Sequence, residues 1–493
     1  MTRGTVSLVF LSAALALPVA GCRDLPWLGD REPAPAPEAV AAVEDGSAAD
    51  ASAGTEPDAG DAGRAAAEEP AEPPNVLLVL LDTLRPDYLG FYGFEYETAP
   101  FLAELAEQGT VFHRARSASS WTAPATSSMF TSLYPPQHGV TQGFRAHKQQ
   151  VEALKRKGEA KIPLNRIPRD RPTLPEMFQE LGYATYGLAS NINIGDSLGF
   201  SRGFDHFDLQ VQAPAATLNG KLEKWKDEII SNQPFFVYLH LNDVHAPYTH
   251  RQEFWRPPGF HRGGDSAADY RSEIGYTDAQ LRKAWEILEM DEGRNLLAAV
   301  SDHGEEFWDH DGAGHGPKLY RELTRVLMMF HGPELGIDRR RSLATTSLVD
   351  VYPTLVDFAG GEAEGCEGLS LAPILRGDEG AGDLKDRLAS RVVFAHRVYS
   401  TVRGLALWAA MHGRWKLIDW WGDRNQLFDH VVDPREQEPV TSERPEMDEA
   451  LAQRLERFKE RMKSGEPASE EVEIELDEEL LGKLETLGYA DID

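Results

Sequence analysis

Asn75–Asp82 reads NVLLVLLD, with an unbroken apolar run from Val76 to Leu81. A strand with one wet face alternates apolar and polar residues. A strand buried on both faces does not, and parallel sheets bury both faces. The run predicts a central strand of a parallel sheet. Asp82 then stands at its carboxyl end, where open α/β sheets bind ligands. Phe235–Leu241, FFVYLHL, repeats the pattern and leads into Asn242-Asp243-Val244-His245. Asn295–Ser301, NLLAAVS, repeats it again and leads into Asp302-His303-Gly304-Glu305. Acids and histidines at the ends of adjacent buried strands share one edge of the sheet. These runs predict an α/β fold with a parallel sheet, in one large domain or two.

Helical spacing marks Pro100–Gly109 and Arg171–Gly182, and the glycine closes the second. Leu343–Gly360 also reads as an amphipathic helix closed by glycines. Strand-like pieces in Val392–Asp433, such as Trp415-Lys416-Leu417-Ile418, predict a small antiparallel C-terminal subdomain. Ser119–Gly139, SSWTAPATSSMFTSLYPPQHG, predicts a loop, a helix and a turn. Pro124 suits the first helical turn, and Tyr134-Pro135-Pro136 ends the helix. Thr122 falls just ahead of the helix N-terminus, either as an N-cap or as a hydroxyl nucleophile beside an anion site.

The chain has 493 residues and a formal net charge of −30, which excludes general nucleic-acid binding. Residues 1–21 carry Arg3 and then an apolar run from Val6 to Ala20, the form of a secretory signal. The run ends Val19-Ala20-Gly21-Cys22, which resembles a bacterial lipobox and implies lipidation of Cys22. Cys366 is the one other cysteine, so a lipidated Cys22 leaves no disulfide. Residues 22–74 are rich in Ala, Pro and acids and predict a disordered tether. The expected location is extracytoplasmic, in the periplasm or at the cell surface, anchored to a bacterial membrane by lipid. Arg145–Arg171 holds nine Lys/Arg against three Asp/Glu and reads as a solvated insertion or a basic flap near the site. Ser442–Asp493 is charged and helical in pattern, with Leu480, Leu481, Leu484 and Leu487 on one face.

Together, NVLLVLLDTLRPDYLGFYG, SSWTAPATSSMFTSLYPPQHGV, LNDVHAPY, VSDHGEEF and GHGPKLYRELTRV resemble, in order, the blocks of the sulfatase family in the alkaline phosphatase superfamily. SLVDVYPTLVDFAG, GLSLAPILRG and WKLIDW…NQLFDHVVDPRE extend the resemblance over roughly residues 74–440. It implies a large central, mostly parallel sheet flanked by helices with a small C-terminal antiparallel sheet, as a catalytic domain at 75–390 and a small subdomain at 391–440, and it leaves 441–493 as a charged helical tail. It also implies a metal site of Asp82, Thr122, Asp302 and His303, with His245 and His315 facing the leaving group. Arg85 and Lys318 become candidate anion binders or, with equal weight, surface charges or salt-bridge partners. His310, between two aspartates, reads better as part of a solvated loop than as a ligand.

The sequence departs from the family at three points. Thr83 stands where many sulfatases carry a second aspartate, and His303 where many carry Asn. Thr122-Ala123-Pro124-Ala125-Thr126 replaces the C/S-x-P-S/A-R motif, so the formylglycine precursor and its arginine are both missing. A threonine nucleophile resembles the phosphoglycerol transferase and lipoteichoic acid synthase branch. The implied cofactor is one divalent metal ion. The His303 nitrogen favours manganese or zinc, with calcium or magnesium as alternatives. The expected activity is hydrolysis or transfer of a sulfuric or phosphoric ester through Thr122. The opposing expectation is a non-catalytic binding lipoprotein on the same fold, its nucleophile lost.

Overall fold

The computed structural model describes residues 72–144, 161–255, 264–378, 381–400, 405–421, 424–463 and 470–475. The signal sequence, Cys22, the tether up to residue 71, the basic segment up to residue 160 and the leucine face at 480–487 lie outside the described residues. No helix among the described residues is long and apolar enough to cross a membrane.

The strands, in chain order, are β1 Asn75–Leu81, β2 Thr110–Arg116, β3 Lys161–Arg166, β4 Ala184–Ala189, β5 His206–Leu209, β6 Phe235–Leu241, β7 Asn295–Val300, β8 Glu306–Phe307 and β9 Ala313–Gly314. They continue with β10 Met328–His331, β11 Arg340–Ser347, β12 Val393–Ser400, β13 Leu405–His412, β14 Trp415–Trp420, β15 Arg424–Asp429 and β16 Glu470–Glu475. The main sheet has eight strands in the order β11-β2-β10-β7-β1-β6-β4-β5. β10 runs antiparallel to both of its neighbours, and the other pairings are parallel. The mostly parallel sheet is as expected.

β1 explains its own composition. Val76, Leu78 and Leu80 enter the core on one face of the sheet, and Leu77, Val79 and Leu81 enter the core on the other. Both faces are covered, so no position is free to be polar. Leu81 pairs with Leu241, and Leu80 with Val300. That level register brings Asp82, Asn242 and Ser301 to one edge.

β12 to β15 form the expected antiparallel C-terminal sheet. One face packs Ala410, Leu417 and Leu427 against Leu451, Leu455 and Phe458 of the helix Pro445–Lys463. The other packs Leu407, Ala409 and Ile418 against Leu319 and Tyr320, just beyond the site loop. The C-terminal sheet and helix thus share their cores with the rest of Glu68–Asp493, which is one compact unit. β16, from the tail, pairs antiparallel with β3.

The expected helix over Leu343–Gly360 is corrected. Its first part belongs to β11, an edge strand with a register shift between Ser342 and Thr345. Leu348–Asp350 is a 3-10 turn, and only Val351–Phe358 is α-helical. Thr345 and Thr346 are stiff at χ1, and Ser347 competes for backbone bonds, so this stretch favours a strand over a helix.

Candidate active site

Asp82 ends β1 and is fully buried. Asp302 and His303 follow β7 after Ser301 and are also fully buried. Gly304 makes their turn: a Cβ there would lie 1.9 Å from the Glu322 carbonyl oxygen, so only glycine fits. Thr122 is the first residue of the helix Thr122–Thr131, with Trp121 extended as its N-cap, so Thr122 lies one position further in than expected.

These side chains converge. One ligand atom from each of Asp82, Asp302 and His303 lies within 4.8 Å of the others. His303 Nε2 is 3.5 Å from Asp82 Oδ1, 3.4 Å from Asp302 Oδ2 and 3.2 Å from Thr122 Oγ1. The other ring nitrogen, Nδ1, is 2.9 Å from the Gly304 carbonyl. Donating there leaves the Nε2 lone pair directed at the carboxylates, the tautomer of a metal ligand.

A divalent cation fits this donor set. Asp82 Oδ1 and Asp302 Oδ2 are buried without a hydrogen-bond partner. Their sister oxygens are satisfied: Asn191 Nδ2 donates to Asp82 Oδ2 at 2.7 Å, and the Thr83 and His303 amides donate to Asp302 Oδ1 at 3.2 and 2.8 Å. Burial, and then the nearby Asp302 charge, pushes Asp82 above its ordinary value. Burial pushes Asp302 up to about 7, and it pushes the His303 imidazole down. A dry pocket that resists its own carboxylate charges is one that a cation stabilises.

Two histidines flank the cluster. His245 places Nδ1 2.6 Å from the Ala246 carbonyl, and its Nε2 is buried without a partner. His315 lies with its ring centroid 4.5 Å from that of His303 and 4.8 Å from that of His245. Its Nδ1 is 3.1 Å from Glu305 Oε1, and Tyr248 donates to Glu305 Oε2 at 2.8 Å. The carboxylate fixes the orientation of the ring.

Arg85 and Lys318 take part in salt bridges, one of the two readings left open by the sequence. Arg85 donates to Asp87, to Asp309 and, through Nη1, to the Glu305 carbonyl at 2.9 Å. It braces the loop that carries Glu305. Lys318 Nζ donates to both Glu306 oxygens and to the His310 carbonyl. Neither joins the Thr122 cluster as an anion binder, because nearby carboxylates consume their charge. His310 is not on a solvated loop: Nδ1 meets Glu322 at 2.8 Å and its ring stacks on Tyr320 at 3.7 Å.

Sequence reading missed four contributors. His240 lies inside the apolar run of β6, fully buried, with Nε2 3.5 Å from Asp82 Oδ2, and burial pushes it down to about 4. Period-two spacing puts it on one sheet face, but nothing marks that face as the one that meets Asp82. Asn191 follows β4 with no motif around it. Glu305 and Tyr248 sit in the quoted VSDHGEEF and LNDVHAPY blocks, and their pairing depends on how two loops fold together.

A buried carboxylate–histidine centre on the carboxyl edge of an α/β sheet, with a hydroxyl at a helix N-terminus, defines a metal-dependent ester hydrolase. The family model described as Sulfatase matches residues 74–361, and the chain belongs to that family. A Delta 4,5-hexuronate-2-O-sulfatase of Bacteroides thetaiotaomicron is 24% identical over 377 residues, covering 64% of this chain and 74% of the relative. A choline-sulfatase of Rhizobium meliloti is 22% identical over 433 residues, covering 74% and 81%. The fold is shared with the phosphonate monoester hydrolase of Agrobacterium radiobacter, with TM-score 0.64 and 18% identity over 79% of this chain and 96% of that one.

Proposed function

We propose that this sulfatase-family hydrolase uses Thr122 as its nucleophile and prefers a phosphate-containing ester to a sulfate ester. The observation that carries the reading is Thr122 Oγ1 at 3.2 Å from His303 Nε2, on the spot where the unpartnered oxygens of Asp82 and Asp302 converge. Asp82, Asp302, His303 and Thr122 would hold the cation, with manganese or zinc favoured by the imidazole. When bound, it polarises the ester and lowers the pKa of a coordinated hydroxyl.

Thr122 would react as the alkoxide, its proton released to solvent where the cation would lower its pKa; Oγ1 attacks phosphorus, forming the Oγ1–P bond as the bond to the leaving oxygen breaks. His315, its ring held by Glu305, gives a proton to that oxygen. His245 Nε2 then takes a proton from the incoming water or acceptor alcohol, which attacks phosphorus in line and releases Thr122 as the alkoxide; the proton returns from His245 to His315 through solvent, which closes the cycle. Formylglycine hydrate has a second hydroxyl that expels sulfate by elimination. Threonine has none, so a sulfated Thr122 would need attack at sulfur. A phosphothreonine is cleared by the in-line step.

The test compares aryl phosphodiester, phosphomonoester and sulfate ester with manganese or zinc, using Thr122→Ala as the blank. Phosphate-ester turnover that the blank lacks is expected. Sulfate turnover well above both phosphate substrates, and dependent on Thr122, overturns the preference. Anchoring through a lipidated Cys22 in an extracytoplasmic compartment belongs to the same reading, motivated by Val19-Ala20-Gly21-Cys22. Cys22→Ser should release the protein from membranes on fractionation; equal solubility of mutant and wild type would end that part of it.

A further inference from the structure

Between the main sheet and the C-terminal sheet lies a cavity of about 230 Å³. Arg114, Arg116, Arg321, Arg325 and Arg414 line it, with His430, and no acidic residue does. In a chain of net charge −30 this is not an average piece of surface.

Arg116 closes β2 and is 5% exposed. Nη2 donates to His430 Nδ1 at 3.2 Å, while Nε and Nη1 are buried without partners. A buried guanidinium with most of its donors unmet is expensive, and an oxyanion is its natural complement. The nearest carboxylate cannot serve. Glu436 Oε1 already accepts from Lys416 Nζ at 3.0 Å and His430 Nε2 at 2.6 Å, and Oε2 from Lys416 Nζ and the Arg321 amide, each at 2.9 Å. Asp429 is spent on Arg414. Among the described residues no carboxylate lies within ion-pair distance of Arg114, Arg116, Arg321 or Arg325. Arg325 is instead held by the His113 carbonyl at 3.1 Å and stands over the Tyr92 ring.

We propose that this arginine cavity is a second anion site, built to hold a sulfate or phosphate group. Guanidinium groups arriving from β2 and from the turn that begins at Arg321 suit a tetrahedral anion with several oxygens better than a flat carboxylate. The site is separate from the catalytic cluster. β7 and β10 lie between β1 and β2, so three strand spacings, roughly 14 Å, separate Asp82 from Arg116 along the same sheet edge. The group bound there is either a free inorganic anion or one charge of a ligand that carries several.

The test soaks crystals of the metal-loaded protein in tungstate, a tetrahedral anion with strong anomalous scattering. A peak between Arg116 and Arg321, apart from any peak beside Thr122, is expected. Calorimetry then follows inorganic sulfate and a dextran sulfate oligomer. Arg321→Gln and Arg114→Gln, at half-buried positions that fold without Arg116 being touched, should weaken binding at this site about tenfold, the worth of one charge-assisted hydrogen bond. Tighter binding of the oligomer, lost in the same variants, identifies a group on a multiply charged ligand; equal binding identifies the free anion. A cavity without tungstate, or sulfate affinities unchanged in both variants, overturns the proposal.

Discussion

Asp302→Asn should stabilise the metal-free protein at pH 8 and weaken the metal-loaded one. Asp302 Oδ1 accepts two backbone amides, from Thr83 and His303, and an Asn oxygen keeps both. The difference is the charge at Oδ2. Burial raises the Asp302 carboxyl from 3.8 to about 7. A carboxyl with a raised folded-state pKa binds its proton more tightly in the native protein. Its contribution to stability is therefore greatest below pH 3.8 and is lost as pH rises through 7. A shift of this size corresponds to on the order of 4 kcal/mol at pH 8, trimmed by whatever water enters the chelated site. Urea denaturation of wild type and Asp302→Asn after chelation, at pH 5 and pH 8, reads the difference directly. The mutant's advantage should grow with pH. With manganese or zinc restored the order should reverse, because the wild type gains metal-binding energy and the mutant gains little. A metal-free mutant less stable than wild type at pH 8, or a gap that does not change with pH, would refute the reasoning.

Glu305→Gln keeps the shape beside His315 but removes the charge paired with its ring; kcat should fall by roughly 10²–10⁴-fold with little change in KM, and the alkaline limb of the pH–rate profile should move to lower pH. The peptide containing Thr122 should carry its unmodified mass by mass spectrometry, and any aldehyde there would contradict the reading of the missing Cys or Ser. Phe458→Ala removes a ring stacked 3.8 Å from Phe394 and 5.1 Å from Tyr134. It should cost about 3–5 kcal/mol in chemical denaturation, and a loss below about 1 kcal/mol would show that the C-terminal helix is not bound as described.

The legible parts of this molecule are those whose causes are local. β1, β6 and β7 are buried on both faces, so their composition alone announces them, and the acids that follow them fall at the sheet edge without further information. β11 was misread because an edge strand with one exposed face and a register shift has the apolar spacing of a helix end. Arg85 and Lys318 match positions in family blocks, yet their charge is settled by Asp87, Asp309 and Glu306, which only the folded loops bring near. The Glu305–His315 pair is likewise a product of the turn between β8 and β9, which returns the chain toward the cluster.

Two departures from the family answer each other in charge. Thr83 takes the place of a second aspartate. It adopts a left-handed backbone, φ 59°, strained for a β-branched residue. Its amide donates to Asp302, its hydroxyl donates to the Val244 carbonyl at 2.8 Å, and Tyr270 donates to its carbonyl at 2.8 Å. Those bonds hold the strain and turn the hydroxyl away from the cluster, so Thr83 supports the turn that sets Asp82. Thr126 takes the place of the arginine, and its hydroxyl is buried without a partner. Three carboxylates around a divalent cation would leave net negative charge, and an arginine would be needed to admit an anion. Asp82 and Asp302 with a neutral His303 and a divalent cation leave none. On the proposed reading, a monoanionic phosphodiester then approaches a cluster with no net charge to repel it, without that arginine. On the proposed reading, the missing aspartate and the missing arginine act together on the charge of the site, and the combination suits a threonine nucleophile.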